Sequence, residues 1–475
     1  MSRFGDGFAV RVRDDVRRLP APPDGVLLVG GSPLRALRLG PGAVERLRLD
    51  GPDAPDGRLD IAADPGSERL AARLLDANLA DPVIDGAPVD PARLTVVVPV
   101  RDRPAQLDRC LAALDGLQVI VVDDASEDPE SVAKVAATHG AEVVALTDNV
   151  GPAGARNAGL ARVTTAYVAF VDSDVVADAT MLVRLTRHFA DETVALVGPL
   201  VRSRATRGED GRARWFERYD EEASSLALGR RACSVAPGSA VGWLPSACLV
   251  GRTDRLACGF DPRMRVGEDV DLVWRLVEAG WTVRYDPAEV AHHDTRPTLR
   301  GWLGRKLVYG TGGAPLARRH GRSGAPAVLT VSGAVAGAAV LLRRRWSLPV
   351  AAAGLAVGAW RLDRRLPEVP GRRALAARLS LQGLGWAVRQ ESALLLRHWW
   401  PLTALLLPSR HVRRAALTAL AVDAVVAELE HPGAPYQLLG RRLDDLAYGA
   451  GLWLGALRSR SVGCLLPRRP GPTRR

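Results

Sequence analysis

The 475-residue sequence predicts an α/β protein, with a doubly wound sheet in the middle, a small α+β module before it and an apolar helical region after it. Three observations predict this. Continuous β-branched runs alternate with helix-period segments up to residue 320, the pattern of βαβ units. Short alternating runs and one amphipathic stretch fill the first ninety residues. After residue 320, uncharged stretches separated by arginine clusters take over. Domains are expected at 1–90, 91–320 and 321–475, since the chain is too long for one core.

In the first region, Phe8-Ala9-Val10-Arg11-Val12-Arg13 alternates like a strand, and Val26–Val29 is a second strand closed by Gly30-Gly31. The segment 66–80 puts Leu70, Leu74 and Leu75 on one helical face, and residues 81–91 form a linker. In the middle region, Thr95–Val98 reads as a buried parallel strand, followed by a helix carrying Leu107, Leu111 and Leu114. Val119–Val122, Val143–Leu146 and Tyr167–Val171 are the next strands. Ligands of such sheets sit beyond the carboxyl ends of the strands.

In the last region, Ala325–Leu342 and Leu348–Trp360 are uncharged, but each falls short of the roughly 20 apolar residues of a spanning helix. A hairpin through a bilayer would place Arg343-Arg344-Arg345 outside, against the positive-inside tendency. Two readings stay open: helices lying in or dipping into the inner leaflet, and a hydrophobic helical bundle. Leu384–Leu407 carries Trp386, Trp399 and Trp400 beside Arg389 and Arg397, which suits a membrane interface or a core edge.

The net charge is +11, yet Lys134 and Lys306 are the only lysines, so arginine carries the charge. Neither an RNA-binding aromatic motif nor zinc-finger spacing is present, and no nucleic-acid partner is expected. The basic surface is expected to face phosphates or anionic lipid. Cys110, Cys233, Cys248, Cys258 and Cys464 form no C-x-x-C pair, which points to a reducing compartment. The first fifteen residues hold no apolar h-region. A cytoplasmic protein, associated with the inner face of the membrane, is expected.

Five motifs carry candidate chemistry. Asp172-Ser173-Asp174 follows an apolar strand directly, so two carboxylates stand in a turn where Mg²⁺ or Mn²⁺ would bridge them to a nucleotide diphosphate. In Val121-Val122-Asp123-Asp124-Ala125-Ser126 a carboxylate either accepts from a nucleobase N–H or caps a helix. Gly151-Pro152-Ala153-Gly154-Ala155-Arg156 opens a helix with small residues and offers Arg156 to a diphosphate. Gly267-Glu268-Asp269-Val270-Asp271 clusters acids at a helix start, where a carboxylate either serves the helix dipole or takes a proton from an attacking hydroxyl. His292-His293, placed after the strand Thr282–Tyr285 and its loop, offers an imidazole to a metal.

Together, in this order, these pieces resemble the family 2 glycosyltransferases of GT-A fold. The match runs over 94–293: Leu94–Val100, Val121–Ser126, the Gly151–Asn157 run, Phe170–Asp174, Gly259-Phe260-Asp261, Gly267–Leu272 and His292. The resemblance implies that Pro99 and Asp124 contact nucleobase and ribose, and that Arg156 contacts the nucleotide. It places Asp172 at ribose and diphosphate, Asp174 at the metal, Asp269 as general base, and His292 near metal and diphosphate with His293 as substitute. Trp243, Glu268 and His293 are candidates for the acceptor region. A base opposite the leaving diphosphate implies inversion at the anomeric carbon. Arg101-Asp102 stands where the family often has Tyr or Asn, a departure at the nucleobase pocket.

The whole chain is similar to a narrower group, the mycofactocin system glycosyltransferases. The similarity rests on 30–39, on Glu268–Asp271, and on Tyr309-Gly310-Thr311 with Ala314–Ala317 and His320. It implies glucosylation, from UDP-glucose, of a small peptide-derived acceptor. The 1–90 module resembles PqqD-like winged-helix domains, which implies a precursor peptide or pathway protein as partner. Rival readings are a cell-envelope glycosyltransferase acting on lipid or polysaccharide, and a non-catalytic peptide-binding scaffold.

Overall fold

The computed structural model describes residues 2–5, 7–49, 57–61, 64–205 and 212–471. It divides into two compact units: residues 1–213 with 220–295, and 214–219 with 296–475. The first ninety residues thus share a unit with the middle region, and the break falls after Thr295 rather than near 320. The segment 296–320 is helical and packs with the later helices, so its contacts outweigh its continuity with the sheet.

The first ninety residues fold as strands β1 (Ala9–Val12), β2 (Arg17–Ala21), β3 (Gly25–Gly30) and β4 (Arg35–Leu39), helix α1 (Pro41–Arg46), β5 (Arg58–Asp60), helix α2 (Pro65–Asp76) and β6 (Ala80–Val83). They make two three-stranded sheets, β5-β1-β6 and β2-β3-β4. Leu70, Leu74 and Leu75 of α2 close a core with Val10, Val12, Leu28 and Leu39. Asp64 caps α2 by accepting from Gly66 and Ser67 N–H groups. β2 and β4 fall on the arginine-rich runs RRLPA and RALRL, whose residues alternate between partly buried and exposed before a buried last residue.

The middle region continues with β7 (Leu94–Val100), α3 (Pro104–Ala112), β8 (Gln118–Asp123), α4 (Pro129–Thr138), β9 (Glu142–Ala145), α5 (Gly151–Leu160), β10 (Tyr167–Val171), β11 (Val175–Val176) and α6 (Ala179–Leu185). Then follow β12 (Val194–Arg204), α7 (Trp215–Glu222), β13 (Cys233–Ser234), β14 (Cys248–Arg252), α8 (Glu268–Glu278) and β15 (Thr282–Asp294). The sheet order is β11-β15-β12-β14-β10-β7-β8-β9, with β13 beside β15. It is mixed rather than wholly parallel. β9, β8, β7 and β10 run parallel, and β14 enters antiparallel to both β10 and β12. Strands β7, β8 and β10 are buried on both faces over most of their length, as their near-continuous apolar runs require. Helix α5 lies so close to β7 and β8 that a Cβ on Gly159 would sit 2.3 Å from Val97 and 3.0 Å from Val122. β15 is a single long strand, so His292 and His293 lie in it and not in a following loop.

The second unit is helical: α9 (Leu299–Thr311), α10 (Gly313–His320), α11 (Val331–Leu342), α12 (Ser347–Asp363), α13 (Arg372–Ala393), α14 (Trp400–Leu405), α15 (Arg410–Glu430) and α16 (Tyr436–Ser459). Buried Trp302 meets Tyr219 edge-on, and buried Lys306 pairs with Asp444 at 2.9 Å. Among the described residues, no helix is long and apolar enough to cross a membrane. Glu391 of α13 sits against Gly337 of α11, and burial pushes its carboxyl up to about 8. The unfolded chain releases that proton near the ordinary value of about 4.3, so stability falls as pH rises from about 4.3 to about 8 and levels off above. Glu391→Gln is expected to stabilise the protein by about 1–2 kcal/mol at pH 8 and by little at pH 4.5, read as melting temperature at both pH values.

Candidate active site

The candidate residues gather at the carboxyl ends of β7, β8 and β10. Half-buried Pro99 stands near the end of β7, opposite Val122 of β8. Asp124 follows β8, and its N–H donates to the carbonyl of Val100 at 2.9 Å. Its carboxylate accepts from Val150 N–H at 2.7 Å and Gly151 N–H at 3.0 Å. Asp124 therefore caps the glycine-rich start of α5 rather than α4, which Asp128 caps through Ser131. One residue thus ties the loop after β8 to the helix that carries Arg156.

Arg156 lies 2% exposed and forks between two carboxylates. One arm donates to Asp172 at 2.5 Å and the other to Glu268 at 3.0 Å. Burial works against its charge, but Asp172 and Glu268 outweigh that and hold the guanidinium above its ordinary range. Phe260 lies beside it, 5.4 Å from ring centre to guanidinium carbon. Gly267 adopts φ +81°, a left-handed conformation that turns the chain sharply into α8 and sets Glu268 and Asp269 in its first turn.

Asp269 accepts from its neighbour Val270 N–H at 2.8 Å and from Ser246 N–H at 3.2 Å. Burial and then the charge of Glu268 push its carboxyl up to about 7, against the pull of those two N–H groups and of Arg156. Half-buried Trp243 lies shortly before Ser246, on a segment that Trp274 anchors by donating to Gly242 at 2.7 Å. The N-terminal module grips the same segment upstream. Ser32 accepts from Ala240 N–H at 2.6 Å, and Asn78 accepts from Ser234 N–H at 2.8 Å.

The turn after β10 closes through Val175 N–H to the Asp172 carbonyl, and β11 then pairs with β15 at Val175–His293 and Val176–His292. Neighbouring strand residues face opposite sides. His293 is the one brought to Asp174, with 3.6 Å between imidazole and carboxylate, while His292 is exposed. The expectation for His292 is corrected accordingly: alternation in a strand, absent from a loop, turns it away. The other carboxylate oxygen of Asp174 accepts from Arg103 at 2.5 Å. Buried Nδ1 of His293 has no hydrogen-bond partner among the described residues. Among the described residues, no group of three or more His, Cys, Asp or Glu side chains stands together as a closed metal cage.

Sequence reading missed two contributors. Arg103 holds Asp174, and Asp102, at φ +55°, accepts from Glu127 N–H while its own N–H donates to Ser126. The departure at Arg101-Asp102 is the signal for the second, because it replaces a side chain with a clasp between the β7 and β8 loops.

The family model described as Glycosyl transferase family 2 matches residues 95–242. The pre-mycofactocin glycosyltransferase of Mycobacterium tuberculosis is 42% identical over 489 residues, covering 98% of this chain and 99% of that protein. This chain is a family 2 glycosyltransferase. Its sheet and site therefore belong to an enzyme that transfers sugar. An N-acetylglucosaminyltransferase of Mesorhizobium japonicum is 28% identical over 223 residues, 41% of this transferase and 50% of the relative. Among solved structures, a mannosyltransferase of Pyrobaculum calidifontis in complex with GDP-Man and Mn²⁺ covers 78% of this chain and 90% of its own, at 19% identity and TM-score 0.41.

Proposed function

We propose that this transferase moves glucose from UDP-glucose to a hydroxyl of pre-mycofactocin, with inversion, on the inner side of the membrane. The observation that supports the mechanism is the Arg156 fork. It ties Asp172, beside the donor turn, to Glu268, so that Asp269 stands on the first turn of α8 next to the donor site. Asp269 takes the proton of the acceptor hydroxyl, whose oxygen bonds to the anomeric carbon as the bond from that carbon to the diphosphate oxygen breaks. UDP leaves with the electron pair, and the proton remains on Asp269 until solvent removes it. The acceptor assignment is supported by likeness to the Mycobacterium tuberculosis enzyme along nearly the whole chain. Trp243 and Glu268 line the acceptor side, and the module that holds Ser234 and Ala240 is the place for a precursor peptide or pathway protein.

Asp174 and His293 fit a hard divalent cation bound chiefly by phosphates: one carboxylate and one imidazole with an unpartnered buried nitrogen, short of a full cage. Held there, Mg²⁺ or Mn²⁺ would supply charge neutralisation for the leaving diphosphate. Asp174→Ala and His293→Ala are expected to weaken Mn²⁺-dependent UDP binding by about 10–100-fold in calorimetry, while His292→Ala leaves it near wild type. Loss on changing His292 alone would move the site to the other face of β15.

The test of the function is a donor screen with metal and a pre-mycofactocin acceptor, read by mass spectrometry. Hexose addition from UDP-glucose supports the proposal. Transfer only to lipid or polysaccharide acceptors overturns it in favour of cell-envelope synthesis, and absence of turnover with all donors overturns the mechanism. Exposed Leu348, Leu405, Leu429 and Leu457 support an inner-leaflet surface for the second unit.

A further inference from the structure

Helices α11, α12 and α13 enclose an open cavity of about 610 Å³, within the range of about 300–1,000 Å³ usual for small-molecule sites. Its walls are apolar: Leu329, Ala336, Leu355, Leu362, Leu379 and Leu384. Of the four hydroxyl or amide side chains that line it, all but Ser332 already make hydrogen bonds. Ser380 donates to the carbonyl of Leu355, Gln390 accepts from Val328 N–H, and Thr330 accepts from Gly333 N–H. What is left to recognise a ligand is chiefly charge. Arg361, Arg365 and Arg469 line the cavity, all exposed, and no carboxylate does so among the described residues. None of the three makes an ion pair with a carboxylate of the described residues. Trp386 of α13, 63% exposed, stands among the lining residues, and Trp360 of α12, also exposed, has Arg364 over its ring.

We infer that this cavity is a lipid site that takes one anionic phospholipid from the bilayer, an acyl chain between the three helices and the phosphate against the arginines. The inference rests on the membrane-surface reading of the second unit and deepens it from a patch to a site. Three guanidinium groups without carboxylates attract the headgroup, and mostly satisfied polar groups leave the wall close to hydrocarbon. Exposed tryptophan beside arginine is placed as at a headgroup boundary.

Two variants test it without touching the transfer site. Arg361→Gln with Arg365→Gln removes the headgroup charge. Gly383→Trp fills the cavity, because Gly383 lines it and a Cβ there meets no heavy atom within 4 Å. The full-length protein is mixed with phosphatidylglycerol or phosphatidylcholine for native mass spectrometry, and pelleted with vesicles of each. The expected result is one phosphatidylglycerol per chain, about tenfold or more weaker in either variant, with unchanged transferase activity. Failure to pellet with any vesicle overturns both the membrane reading and the site. Pelleting on phosphatidylglycerol vesicles without a one-to-one adduct, or with both variants binding like wild type, keeps the surface and overturns the cavity. Equal binding of phosphatidylcholine overturns recognition of the phosphate by the arginines.

Discussion

Replacing Asp269 by Asn is expected to lower kcat by about 10²–10⁴-fold and to leave UDP affinity nearly unchanged. Asn keeps the volume and one accepting oxygen for the Val270 or Ser246 N–H groups, but it cannot take a proton from the acceptor hydroxyl. On the proposed reading the nucleotide is held elsewhere, by the turn at Asp172 and the loops tied through Asp124, so binding is expected to survive. The pH profile supplies a second reading. Burial and Glu268 push the Asp269 carboxyl up to about 7. Below that value the group is protonated and idle as a base; above it the carboxylate is free. Turnover should therefore rise with pH through about 7 and then level off. In Asp269→Asn the limb should vanish with the activity. Near-wild-type turnover in this variant, measured with saturating donor and acceptor, would remove Asp269 from the reaction.

How much of this was legible in the sequence depends on the range of the interaction. The strands β7, β8 and β10 were legible because a strand buried on both faces reads as a near-continuous apolar run. The places of Asp124, Arg156, Asp172, Asp174 and Asp269 in the fold were legible because each motif is local: an apolar strand or a helix start with a charged side chain close by. The antiparallel entry of β14 was not, since chain order alone does not say which neighbours a strand takes. The histidines show the same limit at smaller scale. Alternation guarantees that one of His292 and His293 faces Asp174, but which one depends on the register of β15 against β11 and β12, where the pairing shifts between Pro199 and Leu200. Arg103 is the plainest case. Its partner lies 71 residues away, and no spacing rule reaches that far. The arginine-rich strands β2 and β4 were not legible, because RRLPA and RALRL hold no strict alternation of apolar and charged residues.

Arg156→Met is expected to cost about 3–5 kcal/mol of stability in the first unit, the usual penalty for leaving buried charge without its partner. The wild-type guanidinium is 2% exposed and serves two carboxylates at once, at 2.5 and 3.0 Å. Methionine fills much of the space and serves neither. Removing Glu268 as well should recover part of the loss, so the double variant Arg156→Met with Glu268→Met is expected to melt above Arg156→Met alone. Arg156→Lys keeps the charge but not the fork, and should fall between. The same substitutions reach the chemistry. Arg156 is one of the groups that lower the proton affinity of Asp269. Without it the base should hold its proton more tightly, and the activity limb should move above about 7 in Arg156→Met while staying near wild type in Arg156→Lys. A pH limb that does not move in Arg156→Met would separate the two carboxylate sites electrostatically and leave Arg156 as a structural tie alone. Movement in Arg156→Met without movement in Arg156→Lys would make its charge part of how the enzyme sets its base.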